Sequence, residues 1–146
     1  MVFIHFLVLL LLTGCTFNQL DQPPEGSVQV NSREIDLMIG AYQWETGSFF
    51  SKETVTVDAA SPIQAAANRE AENVHSPANA EVSFAHRPEE LQVYLWESET
   101  KMQLVSEGNQ WELPAEAGEY VYEVRGKWLD GEASYTVSLK IEPSDE

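Results

Sequence analysis

Cysteine is almost missing: the 146 residues contain one, Cys15. No intramolecular disulfide can form, so the fold must be held by its core alone. Basic residues are scarce too, with 8 Lys and Arg against 24 Asp and Glu and a formal net charge of −16. That balance disfavours nucleic acid, whose partners carry basic patches. It also disfavours charge-driven docking on anionic lipid. No apolar run reaches the roughly 18 residues of a spanning helix. A D-x-D-x-D calcium loop, a phosphate-cradling glycine loop and a G-x-S-x-G elbow are absent as well. What remains is ordinary for a folded domain: 43% hydrophobic and 10% aromatic residues, far from the disordered class.

The stretch from Val2 to Leu12 is apolar except for His5, and no Lys or Arg precedes it. Its length suits the apolar core of a secretory signal peptide. It ends in Leu12-Thr13-Gly14-Cys15, which resembles the lipobox of bacterial lipoproteins. The resemblance implies that the Cys15 thiol receives a diacylglyceryl group, that a peptidase cuts before it, and that the new amino terminus is acylated, commonly with palmitate. It further implies a signal peptide at 1–14, a lipidated Cys15 with a tether over 15–26, and residence on the extracytoplasmic face of the cell membrane. The partner so implied is the membrane, held through the lipid on Cys15. Two or three acyl chains hold firmly, at about 0.8 kcal/mol per buried methylene.

Beyond Thr16 to Gly26, a polar stretch with Pro23-Pro24, strand signals dominate. Val28 and Val30 alternate with polar residues, Asn31-Ser32 predicts a turn, and Ile35 to Trp44 predicts one long strand with a bulge or bend at Gly40. A loop is expected at Thr46 to Ser48 and a strand over Glu53 to Asp58. Ser61-Pro62-Ile63-Gln64 reads as a helix start, with Ser as N-cap and Pro at the first position. The helix should run about nine to eleven residues and stop before Pro77. Short strands follow at Glu81–Ala85, Leu91–Glu97, Met102–Val105 and Gln110–Leu113. The Glu107-Gly108-Asn109 turn pairs the last two as a hairpin. Glu119–Trp128 and Glu132–Glu142 flank Leu129-Asp130-Gly131, a hairpin turn. Their alternation, with Tyr120, Tyr122, Val124 and Trp128 on one face, predicts a sheet with one wet side.

Glu116-Ala117-Gly118-Glu119-Tyr120 resembles the tyrosine corner of immunoglobulin-like sandwiches. The expected fold is mainly β, an antiparallel immunoglobulin-like β-sandwich of about seven to eight strands with one short helix near 62–72. The domain is placed at 27–142, with a tail at 143–146. The wider pattern (Gly40, Tyr42 and Trp44, then Val57 to Pro62, then Gly118 to Tyr135) is similar to small uncharacterised lipoproteins of Bacillus-type bacteria. Some of those carry cysteines in the first two motifs. None stands here, so no disulfide carries over, and the resemblance implies no activity.

Little in the sequence suggests chemistry. His75 and His86 stand beside prolines in expected loops, and a zinc site there would need carboxylates such as Asp58 or Glu81. Two solvated histidines is the simpler reading, so no metal and no cofactor are expected. The aromatics say more. On Leu91 to Glu97, Leu91, Val93 and Leu95 face one way and Tyr94 and Trp96 the other. Either the helix near Ser61 covers Tyr94 and Trp96, or they form a binding surface. Three classes follow: a non-catalytic interaction module contacting another envelope protein, a carbohydrate or small-ligand binder using the Trp/Tyr surface, and, least favoured, a hydrolase. The expectation is that the protein is not an enzyme.

Overall fold

The computed structural model describes residues 19–144. Asn31 and Ser32 both adopt positive φ, 49° and 67°. A two-residue hairpin turn whose twist matches its strands needs this backbone. It joins β1 (Gly26–Val30) to β2 (Arg33–Asp36). The expected long strand from Ile35 is then broken at Leu37. Ile35 is buried within β2, while β3 (Met38–Ser48) belongs to the other sheet. Leu37 N–H donates to the Gly26 carbonyl at 2.9 Å, so the chain turns a sandwich corner there instead of running straight. The remaining elements are β4 (Ser51–Val57), α1 (Pro62–Ala67), β5 (Glu72–Ser76), β6 (Asn79–Phe84), β7 (Glu90–Ser98), β8 (Lys101–Ser106), β9 (Gln110–Glu112), β10 (Gly118–Trp128) and β11 (Gly131–Pro143).

The strands form two packed sheets, an antiparallel β-sandwich with one short helix. The small sheet has the order β2-β1-β6-β9, and the large one β4-β3-β11-β10-β7-β8. Among the described residues eleven strands stand where about seven to eight were expected. β5 was not expected at all: it pairs parallel to the far half of β11, where β3 has left that edge free. The helix is correspondingly shorter than the 62–72 reading. Ser61 Oγ caps it by accepting from Gln64 N–H at 3.2 Å, as its sequence suggests. The segment from Glu72 is drawn into the sheet, because pairing an open edge satisfies a row of backbone groups. β8 and β9 do not form the expected hairpin either. β8 pairs β7 in the large sheet and β9 pairs β6 in the small one, so the Gly108 turn crosses between layers.

Two local readings hold. Opposite Gly40 the β3–β11 register shifts between Ala133 and Tyr135, which is a bulge. Tyr120 Oη donates to the Glu116 carbonyl at 2.9 Å, closing the tyrosine corner. Tyr120→Phe should therefore lose about 1 kcal/mol of stability in urea unfolding, the net contribution of one such bond.

Between the layers, Val28, Val30 and Val82 of the small sheet meet Trp44, Val93, Tyr122, Val124, Tyr135, Val137 and Leu139 of the large one. Trp128 sits in an aromatic nest, with ring centroids 5.1 Å from Phe84 and 5.7 Å from Trp44. Buried indole and phenol groups need partners; loops supply them to three of these rings, while Trp111 Nε1 has none. Trp128 Nε1 donates to the His86 carbonyl at 2.8 Å, Trp44 Nε1 to the Leu20 carbonyl at 2.7 Å, and Tyr135 Oη to the Pro24 carbonyl at 2.6 Å. Part of the stretch read as tether is thus docked: Pro23 and Pro24 are buried. Burial pushes the Tyr122 phenol up to about 12 and raises that of Tyr135 further.

Candidate functional site

The lipobox residues Leu12, Thr13, Gly14 and Cys15 lie outside the described residues. Within them, the densest set of polar contacts lies on the outer face of the large sheet. The strand register brings it together. Glu123 on β10 stands opposite Tyr94 on β7, Arg125 opposite Gln92, and Val121 opposite Trp96; on the other side Arg125 faces Ser134 of β11. Residues two apart along a strand share a face. Glu123 and Arg125 therefore emerge side by side, between Tyr94 and Trp96 on one flank and Ser134 on the other.

Three donors converge on Glu123. Its Oε2 accepts from Trp96 Nε1 at 2.8 Å and from Arg125 Nη2 at 2.9 Å, and its Oε1 accepts from Ser134 Oγ at 2.7 Å. The side chain is only 6% exposed. Burial opposes its charge, but the hydrogen bonds from Arg125, Ser134 and Trp96 and the nearby guanidinium outweigh that. They hold the carboxyl below its ordinary value. The Arg125 guanidinium is raised in turn, chiefly by its bond to Glu123. It also lies 4.4 Å from the Tyr94 ring centroid, a cation–π stack. Tyr94 Oη donates to Gln92 Oε1 at 3.1 Å.

Both sequence-singled residues are half-buried. Helix α1 packs against β7, β10 and β11 on this sheet, and Ser61 Oγ at its cap donates to Glu99 Oε2 at 2.6 Å. Trp96 spends its N–H on Glu123, and Tyr94 has one ring face under Arg125. Glu123 and Arg125 themselves were not anticipated. Alternation assigned them to a wet face, and no local signal in the sequence marks their burial. Alongside the cluster runs a groove of about 610 Å³ between β10 and the β3–β4 hairpin, lined among others by Gln43, Asp58, Gln92, Arg125 and Ser134. A second hollow of about 760 Å³ opens at the sandwich edge near Phe84, Arg87 and Asn109.

Chemically, Glu123 is a fixed anion with both oxygens engaged. It orients Arg125, whose 40% exposed side chain borders the groove. Such an arrangement can bind a polar or anionic group; as a proton donor near neutrality Glu123 is poorly suited. His75 and His86 are exposed, and their carbonyls, not their rings, are used, accepting from Asn31 and Trp128. Among the described residues no group of three or more His, Cys, Asp or Glu side chains is placed to hold a metal ion. Ser98-Glu99-Thr100-Lys101 has the S-x-x-K spacing of some serine hydrolases. Here it forms a hairpin end, with Lys101 paired to Glu97 and Ser98 Oγ accepting from Thr100 N–H. Among the described residues no helix is long and apolar enough to cross a membrane. Comparison with protein-family models, with curated proteins and with solved structures finds no match.

Proposed function

We propose that this protein is a lipid-anchored extracytoplasmic lipoprotein whose β-sandwich works as a non-catalytic, immunoglobulin-like interaction module toward another envelope component. One observation carries the reading: the chain's only cysteine follows Leu12-Thr13-Gly14 at the end of an apolar run too short to span a bilayer. Leu20 and Pro24 are docked on the sandwich, so a lipid on Cys15, five residue steps before Leu20, would anchor the body near the membrane. The test is fractionation of cells making the native chain or Cys15→Ala, with radiolabelled palmitate. The native protein should incorporate label and sediment with membranes. The variant should take up no label and keep the mass of its uncut leader, and a variant labelled and processed like the native chain would end the proposal.

A second reading, a small-ligand or carbohydrate binder, is favoured by the Glu123–Arg125 cluster beside its groove. Arg125→Gln should then remove the Trp96 fluorescence response to the ligand, read in titrations against a panel of neutral and acidic sugars. A native chain that gives no response to any sugar counts against this reading.

A further inference from the structure

The β3–β4 hairpin ends in two adjacent, almost fully exposed phenylalanines. Phe49 and Phe50 are 92% and 93% exposed, with ring centroids 5.3 Å apart. The expected loop at Thr46–Ser48 is strand instead, and the two rings form the turn. Gly47 makes this closure workable, since at φ 106° a β-carbon would lie 2.1 Å from the Ser51 carbonyl oxygen. The ribbon is also an overhang. Trp44 pairs with Gly131 at the foot of the β10–β11 turn, and Glu45 N–H donates to the Asp130 carbonyl at 2.7 Å; past that point β3 continues through Thr46 to Ser48 with β4 beside it. At about 3.4 Å per residue the tip projects roughly 10 Å beyond the sandwich.

The same end of the molecule receives the amino-terminal segment. Leu20 N–H donates to Asp130 Oδ2 at 3.1 Å, and the Leu20 carbonyl accepts from Trp44. Leu129, in the turn beside Asp130, is 73% exposed. Cys15 lies five residue steps before Leu20, a reach of at most about 17 Å. The leash is therefore long enough to span the overhang.

We propose that the Phe49–Phe50 tip inserts into the bilayer surface beside the lipidated Cys15, giving the sandwich a second, non-covalent membrane contact and a fixed standing orientation. This inference rests on the lipid-anchor reading. A protein occupant fits less well: two phenylalanines on a narrow ribbon offer a few hundred Å², well below the about 800 Å² per partner of a stable interface. A membrane needs no such area. From Thr46 to Ser51 no charged side chain occurs, and Lys52 is paired to Glu45 at 3.3 Å. The acidic remainder of the body favours apolar insertion over electrostatic adhesion.

The test uses the full lipidated protein in phosphatidylcholine vesicles, with a single environment-sensitive fluorophore on Ser48→Cys. Thr100→Cys, at the opposite end of the sheet, is the comparison. Lipid-borne nitroxides should quench most of the Ser48 probe's emission and leave the Thr100 probe unchanged. Adding Phe49→Ser and Phe50→Ser should abolish the quenching while the anchored protein still floats with the vesicles. Three results overturn the inference: an unquenched Ser48 probe on protein whose mass shows the diacylglyceryl group, quenching that survives loss of both rings, or a probe shielded from water yet blind to the nitroxide, as a protein contact would make it. An unmodified Cys15 in the mass spectrum overturns the anchor itself, and this inference with it.

Discussion

Glu123→Ala should lower the unfolding free energy by about 3 kcal/mol in urea titrations at neutral pH. The change strips three donors of their acceptor at once, Trp96 Nε1, Ser134 Oγ and Arg125 Nη2. Unsatisfied buried donors and a stranded cation are each costly, about 1–3 kcal/mol apiece. The loss falls short of their sum because Arg125 can turn its exposed end to water. The same carboxylate should make stability pH-dependent. Its folded value lies below the ordinary one. Its contribution is therefore complete above the ordinary carboxylate range and fades as pH drops through the folded value. Native protein should weaken on acidification more steeply than Glu123→Gln. Parallel pH profiles for the two proteins would refute this account of Glu123.

Trp128→Ala should cost more, about 4 kcal/mol, because a large core aromatic leaves both lost burial and a cavity. The ring contacts Phe84, Trp44 and Tyr135, and its N–H satisfies the His86 carbonyl. Gly126 cannot move in to fill the space, having no side chain. Filling from its position is also unavailable in the native protein, where a β-carbon there would lie 2.3 Å from the indole. Calorimetric or urea unfolding measures the loss directly. A drop below about 1 kcal/mol would mean the nest collapses around the gap far better than core packing ordinarily allows. Trp128→Phe should recover much of the packing and leave mainly the unpaired carbonyl.

Turn chemistry and alternation made much of the fold legible. Asn31-Ser32, Leu129-Asp130 and the Ser61 cap are local devices, in which residue type dictates backbone geometry within a few positions. The tyrosine corner belongs with them, because its bond spans only four residues. What failed to read through was the choice of sheet. Ile35 and Trp44 look like one strand, and Met102 and Trp111 look like one hairpin. Alternation says which side of a strand is apolar; it does not say which layer that side faces. β5 failed for a related reason: Val74 is the sole buried apolar residue in Glu72–Ser76. That strand exists because β3 vacates an edge of β11.

The candidate site divides in the same way. Cys15 and its neighbours can be read from adjacent letters, since a peptidase and an acyltransferase recognise short contiguous stretches, and the lipid-anchor proposal rests there. Composition alone likewise set the charge and ruled out disulfides. Glu123 could be assigned to a face from its position on β10, but its engagement depended on Trp96 and Ser134, which the neighbouring strands β7 and β11 bring to it. The exposure of Phe49 and Phe50 was hidden too: two phenylalanines in a row ordinarily mean core. Only the overhang of β3 and β4 past the β10–β11 turn, set by strand register across three strands, leaves those rings in the open at the end where the chain enters.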